Sequence, residues 1–93
     1  MYRISESSDL YQKLLAEIEE AGCPDCLLRL ETLLHAIQQN PEWPEIPGRE
    51  PARLARTKEF PCFAGKRCIL RLAFTILPDF CIRLDAVALS RLD

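Results

Sequence analysis

The chain has 93 residues, enough for one domain but too few for two packed domains, because a domain usually has roughly 50 to 200 residues. A hydrophobic fraction of 48%, a charged fraction of 28% and only 3 glycines exclude a disordered or collagen-like chain and are typical of a globular protein. The net charge of -2 is unevenly divided: residues 1–50 hold 4 basic and 10 acidic side chains, whereas residues 51–93 hold 8 basic and 4 acidic ones.

The N-terminal residues 1–9 are polar, and no apolar segment of the signal-peptide type follows them. The longest apolar stretch, residues 69–77, contains Arg71 and is shorter than the roughly 20 residues that a membrane-spanning helix needs. The sequence therefore predicts a cytoplasmic protein.

Residues 2–5 alternate apolar and polar side chains, which predicts a short, half-buried strand. Residues 7–9 offer N-cap side chains for a helix that Gly22 would end. A second helix is expected to follow at once, and two amphipathic helices with so short a connection form an antiparallel hairpin. The apolar positions of the first helix are Leu10, Leu14, Ile18 and Ala21, and those of the second are Leu27, Leu30, Leu34 and Ile37.

Three prolines interrupt residues 40–50, which are predicted to be a loop. Beyond this loop the apolar spacing changes from about 3.6 residues to 2, the spacing of strands. Residues 52–57 predict a weak strand, and residues 66–77 predict a clear one whose even-numbered side chains face the core.

Pro78 and Asp79 are turn residues that lead into a last strand over residues 80–89, so that the two final strands form an antiparallel hairpin. Strict alternation would place Ala86 and Ala88 on the core face. The predicted fold class is α+β: an N-terminal strand and an antiparallel helical hairpin packed on one face of a small, mainly antiparallel sheet, in the order β-α-α-β-β-β.

This order, the opening strand and the G-x-R-x-x-L motif of Gly65, Arg67 and Leu70 resemble the RelE/ParE superfamily of bacterial toxin-antitoxin toxins. The resemblance covers nearly the whole chain and implies a single domain over residues 1–93. It also implies a toxin-like or toxin-derived function, with a macromolecular partner such as an acidic antitoxin, the ribosome and its RNA, or DNA gyrase.

In RNA-cleaving members of that superfamily, arginines similar to Arg67 and Arg91 stabilise phosphate charge. If this chain is an enzyme, the resemblance implies an mRNA endoribonuclease with Arg67, Arg71 and Arg91 as its candidate catalytic residues. The Tyr or His that usually completes such a site is missing, because neither residue type follows Phe80. Arginine, whose pKa lies above about 12, cannot replace it in proton transfer, so we expect binding rather than catalysis, and no cofactor.

Arginine is the dominant basic residue of the chain, with 9 Arg against 3 Lys. Guanidinium groups on neighbouring strands suit a phosphate or carboxylate partner. The alternative is a solvated sheet face on which Arg83 pairs with Asp85 or another neighbour. The candidate partner-binding residues are Arg53, Arg56, Arg67, Arg71 and Arg83.

A competing function of another class is also compatible with the charge asymmetry. In this alternative the chain is a non-catalytic adaptor whose acidic helices contact one partner and whose basic strands contact another. A homo-oligomer is also compatible with the sequence.

The 5 cysteines are an odd number and are too few for a disulfide-built scaffold, so we expect free thiols in a reducing compartment. Cys23 and Cys26 form a CxxC motif near a predicted helix start, where a thiol could exchange disulfides or bind zinc. A zinc site would also recruit Cys62 and Cys68. A helix cap at Cys23 and a buried thiol at Cys26 are the favoured alternative, with no metal bound.

Overall fold

The computed structural model describes residues 1–21, 25–42, 52–62 and 65–92. It confirms the predicted α+β fold class and order of elements, and it adds one two-residue strand. Gly22, Cys23 and most of the predicted loop 40–50 lie outside the described residues. The elements are β1 (Arg3–Ser7), α1 (Asp9–Glu20), α2 (Cys26–Gln39), β2 (Ala52–Arg56), β3 (Phe60–Pro61), β4 (Arg67–Leu77) and β5 (Cys81–Leu92).

The five strands form one sheet in the order β1-β5-β4-β2, with β3 also paired to β4. β1 runs parallel to β5, and the other pairs are antiparallel. The two helices connect β1 at one end of the order to β2 at the other, and they pack on a single face of the sheet.

Ser8 begins α1 and ties it to β5. Its Oγ accepts a hydrogen bond from the Tyr11 amide at 3.1 Å and donates to the Asp85 carbonyl at 2.5 Å. Its own amide donates to the Leu84 carbonyl at 2.8 Å. Ser8 therefore caps α1 and also fixes the point at which the chain passes from the sheet into this helix.

The core lies between the helices and alternate residues of the central strands. Tyr11 and Ile18 are the buried residues that α1 contributes to this core. Burial raises the pKa of the Tyr11 phenol. Leu10 and Leu27, which were predicted on the apolar faces of the helices, are 55% and 45% exposed. No described helix is long and apolar enough to cross a bilayer. The core side chains from β4, β5 and α2 include Leu70, Leu72, Phe74, Ile82, Leu84, Val87, Leu30, Leu33 and Ile37.

A β-bulge in β5 changes which face its side chains occupy. Ala73 lies opposite Ala86 and Phe74 lies opposite Leu84, so Asp85 has no partner residue of its own in β4. One extra residue inverts the alternation for the rest of a strand. The prediction that Ala86 and Ala88 face the core is therefore wrong: Val87, only 1% exposed, takes that role.

The hairpin turn also differs slightly from the prediction. Asp79 and Phe80 both have positive φ, at 62° and 58°, in the three-residue turn between β4 and β5. Phe80 therefore belongs to the turn rather than to the last strand, and β5 runs from Cys81 to Leu92.

The expectation of free thiols is wrong for three of the cysteines. Cys62 and Cys68 form a disulfide, and Cys26 is also disulfide-bonded, whereas Cys81 is free and buried. Pairing of β3 with β4 places Phe60 opposite Cys68 and so brings Cys62 within bonding distance, a proximity that the sequence spacing alone does not show. While Cys62 and Cys68 are bonded to each other they cannot bind zinc, and the described residues contain no cluster of three metal-binding side chains.

Candidate functional site

The sheet surface opposite the helices carries four of the predicted arginines, and we call it the arginine face. In β4 the core residues are even-numbered, so Arg67 and Arg71 project from the other side. Arg56 joins them because it pairs with Arg71, and Arg83 joins them because it lies opposite Thr75. All three of Arg56, Arg67 and Arg71 are exposed.

The strand register places Arg56 of β2 directly opposite Arg71 of β4. Like charges in this position destabilise a sheet unless an anion compensates them. Arg71 donates to Ser90 Oγ at 2.6 Å, and neither arginine forms an ion pair with a described residue. The pair therefore concentrates positive charge that the described part of the chain does not neutralise.

Arg67 extends this positive charge along β4, four residues or about 13 Å from Arg71. Its guanidinium lies 3.6 Å from the Glu59 carboxylate, and the two side chains are 63% and 49% exposed. Ion pairs that are so exposed contribute little to stability, with typical values of about 0–1 kcal/mol. An incoming anion can therefore displace Glu59 at low cost.

Arg83 has a different environment, next to the bulge. Its Nε donates to Asp85 Oδ1 at 2.7 Å, and an Nη group donates to Thr75 Oγ1 at 3.2 Å. Thr75 Oγ1 in turn donates to Asp85 Oδ2 at 2.5 Å. The hydrogen bond and charge of Asp85 raise the pKa of Arg83. The alternative prediction, that Arg83 pairs with Asp85, is confirmed, and its charge is already neutralised within the fold.

Small side chains occupy the centre of the arginine face. Ala73 and Ala86 lie between the Arg56–Arg71 pair and the Arg83 cluster, and Ala88 lies opposite Arg71. Leu54 of β2, opposite Ala73, is 43% exposed. The floor is therefore shallow and open to an extended backbone. This floor does not follow from the sequence, because the alternation in β5, read without the bulge, assigns Ala86 and Ala88 to the core.

Arg53 and Arg91 lie on the helix-covered side of the sheet. Arg53 pairs with Phe74, and Arg91 pairs with Cys68 and lines a pocket with α1. The three candidate catalytic arginines therefore do not converge, since Arg67 and Arg71 are separated from Arg91 by the thickness of the sheet. The arginine face retains Arg56, Arg67 and Arg71 as anion-binding candidates.

No family model, no curated protein and no solved structure matches this chain. The resemblance to RelE/ParE toxins therefore stays a prediction.

Proposed function

We propose that this chain is a toxin-like protein that binds an anionic macromolecule through the arginine face, either an acidic antitoxin or the ribosome and its RNA. The observation that supports the proposal best is the direct opposition of Arg56 and Arg71, two exposed cations without a described ion-pair partner. A carboxylate or phosphate group between them would turn a repulsive pair into an attractive site.

Binding rather than cleavage is the core of this proposal. Arg56, Arg67 and Arg71 can neutralise phosphate charge, but arginine does not act as a general base near neutral pH. The chain therefore acts by binding to a partner, such as a ribosomal site or an antitoxin, and not by a reaction that these side chains carry out.

A cytoplasmic location belongs to the proposal, because the ribosome and antitoxins are in that compartment. The Cys62–Cys68 disulfide makes this part testable, since disulfides are rare where glutathione keeps thiols reduced. Because glutathione in the cytoplasm would reduce the Cys62–Cys68 disulfide that the structure contains, thiol alkylation in intact cells, followed by mass spectrometry, would show Cys62 and Cys68 alkylated in a cytoplasmic protein. An unalkylated pair would count against the cytoplasmic location.

The toxin-like function is tested by inducing the chain alone in bacterial cells. We expect growth and translation to stop, and the double variant Arg56→Glu/Arg71→Glu to abolish this arrest. Lys13→Glu is the control for a charge reversal away from the arginine face, because it reverses one charge at an exposed position of α1, whereas the double variant reverses two. Normal growth with well-folded, abundant wild-type chain would contradict the toxin-like function.

The same variants distinguish the adaptor alternative. An adaptor would form a stable complex that survives purification without stopping growth, and Arg71→Glu would disrupt that complex while Lys13→Glu would not. The charge asymmetry between the helical and strand-bearing halves is the feature that favours this second function.

A further inference from the structure

The hairpin of β3 and β4 is short, and a covalent bond closes it. β3 has only two residues, and one of them, Pro61, has no backbone N–H to donate to β4. Beyond β3 the Cys62 amide donates to the Lys66 carbonyl at 2.8 Å. The Cys62–Cys68 disulfide then joins the two arms of the hairpin. Reduction of this bond would remove a covalent constraint from the hairpin tip.

The two sulfur atoms of this disulfide differ in accessibility. Cys68 is 0% exposed in the core, whereas Cys62 is half-buried at the margin of the core. In thiol–disulfide exchange, a thiolate must reach the sulfur atom that it attacks. Cys62 Sγ is therefore the atom that a dissolved thiol can attack, and Cys68 Sγ is the leaving group.

The charge around Cys62 favours a thiol that carries carboxylates. The ring that the disulfide closes, residues 62–68, contains Lys66 and Arg67 and no acidic side chain. Both basic residues are exposed, and the Glu59 carboxylate beside the ring lies 3.6 Å from the Arg67 guanidinium. Two cations against one carboxylate leave a positive potential, which raises the local concentration of an anionic reactant. Glutathione, with two carboxylates and one ammonium group, fits this environment.

We propose that the Cys62–Cys68 disulfide is a reversible switch for the arginine face, opened at Cys62 by an anionic thiol of the glutathione type. The thiolate forms a bond to Cys62 Sγ, the bond between the two cysteine sulfurs breaks, and Cys68 Sγ takes the electron pair and then a proton from water. A second glutathione thiolate attacks the glutathione sulfur of the mixed disulfide. This step releases glutathione disulfide and the Cys62 thiolate, which also takes a proton. Glutathione disulfide, when it accumulates, reverses both steps and closes the ring.

The state of the disulfide affects Arg67, which precedes Cys68 in β4. With the ring closed, β3 is held beside β4, and Pro61 and Glu59 stay next to Arg67. With the ring open, the hairpin tip gains freedom that an anion must remove when it binds Arg67, and this ordering lowers the affinity. The oxidised chain should therefore bind anions more tightly than the reduced chain. This consequence rests on the proposed anion-binding function.

The exchange step is tested on the whole chain with its disulfides formed. The chain is mixed with glutathione, the reaction is stopped with acid, and peptide mass spectrometry should locate glutathione on Cys62 and not on Cys68. Lys66→Gln should slow opening by glutathione about twofold, because it removes one of the two cations, and should affect opening by 2-mercaptoethanol less. Lys13→Gln, which removes an exposed cation from α1, is the matched control and should change neither rate.

The effect on the arginine face is tested with fluorescein-labelled decaglutamate as the anionic probe. Reduction of the chain should weaken binding of this probe about threefold, the cost of ordering roughly one side chain. The double variant Cys62→Ser/Cys68→Ser should bind the probe as weakly as the reduced chain does, and dithiothreitol should not weaken it further. Because Cys26 is disulfide-bonded as well, this variant separates the effects of the two disulfides.

Glutathione attached to Cys68 instead of Cys62, or a disulfide that glutathione does not open, would overturn the proposed exchange. Equal affinities for decaglutamate in the oxidised and reduced chains would overturn the switch and leave the anion-binding function intact. If the oxidised chain does not bind decaglutamate, the switch fails together with the acidic-partner function, and the glutathione experiment still decides the exchange.

Discussion

The two faces of the sheet are built from the same strands and differ in what covers them. On the helix-covered face, Leu70, Leu72 and Phe74 are 0% exposed. On the arginine face, Arg67 and Arg71 come from the same strand and reach solvent. Neighbouring residues of β4 such as Arg71 and Leu72 therefore reach different environments, although Ile69 and Thr75 on the arginine face are also buried, at 6% and 8% exposed. Substitutions of Arg67 or Arg71 and of the covered residues should therefore have different consequences.

The largest expected effect is on the covered face. Phe74→Ala should lower the free energy of unfolding by about 3–5 kcal/mol, because it removes a large buried ring and leaves a cavity. Arg67→Ala, on the other face of the same strand, should change it by less than about 0.5 kcal/mol. Urea denaturation followed by circular dichroism measures both. Similar losses for the two variants would contradict the separation of roles.

The arginine face itself contains one region that supports the fold, the cluster around Asp85. Asp85→Ala removes the acceptor of Arg83 and Thr75, and we expect a loss of about 1–2 kcal/mol in the free energy of unfolding. Glu59→Ala removes the partner of the exposed Arg67 and should cost less than about 0.5 kcal/mol. A smaller loss for Asp85→Ala than for Glu59→Ala would show that the bulge does not depend on its hydrogen bonds.

The sequence predicts the covered face better than the arginine face, for a physical reason. Helical and strand spacings are local, so the order of elements and the even-numbered core of β4 follow from the residues themselves. The bulge depends on distant partners: Ser8 binds the Asp85 carbonyl and Thr75 binds its carboxylate. No local pattern marks it, and so the shallow alanine floor could not be predicted.

The same limit applies to single residues of the candidate site. The exposed positions of Arg67 and Arg71 follow from alternation in β4. The opposition of Arg56 and Arg71 needs the register between two strands, and the Cys62–Cys68 disulfide needs the pairing of β3 with β4. Both are non-local facts that the spacing of residues does not determine.

The covered face also predicts a pH dependence. Burial raises the pKa of Tyr11 above that of the unfolded chain, about 10. This contribution to stability is complete below pH 10 and is lost as the pH rises towards the folded pKa, with a slope of at most about 1.4 kcal/mol per pH unit. Tyr11→Phe should therefore lose less stability between pH 10 and 11 than the unaltered chain. Parallel declines in urea titrations would contradict this prediction.

On the arginine face, Arg56→Glu should separate stability from binding most clearly. The substitution converts a repulsive pair with Arg71 into an attractive one, so the free energy of unfolding should rise by about 0.2–1 kcal/mol. Affinity for an anionic partner should fall in the same variant. Lys13→Glu, measured in the same thermal and binding experiments, shows what a change of net charge does by itself. A destabilised Arg56→Glu chain would indicate that the two arginines do not repel each other.

The smallest expected effect tests which face Ala88 occupies. Ala88 lies opposite Arg71 on the arginine face, so Ala88→Gln should alter the free energy of unfolding by less than about 0.5 kcal/mol. Val87→Thr places only one hydroxyl on the covered face, yet it should cost about 1–3 kcal/mol, because Val87 is 1% exposed and that hydroxyl must lose water. Alternation without a bulge requires the reverse order of the two losses. The ranking of two neighbouring variants in urea therefore tests where the faces of β5 exchange.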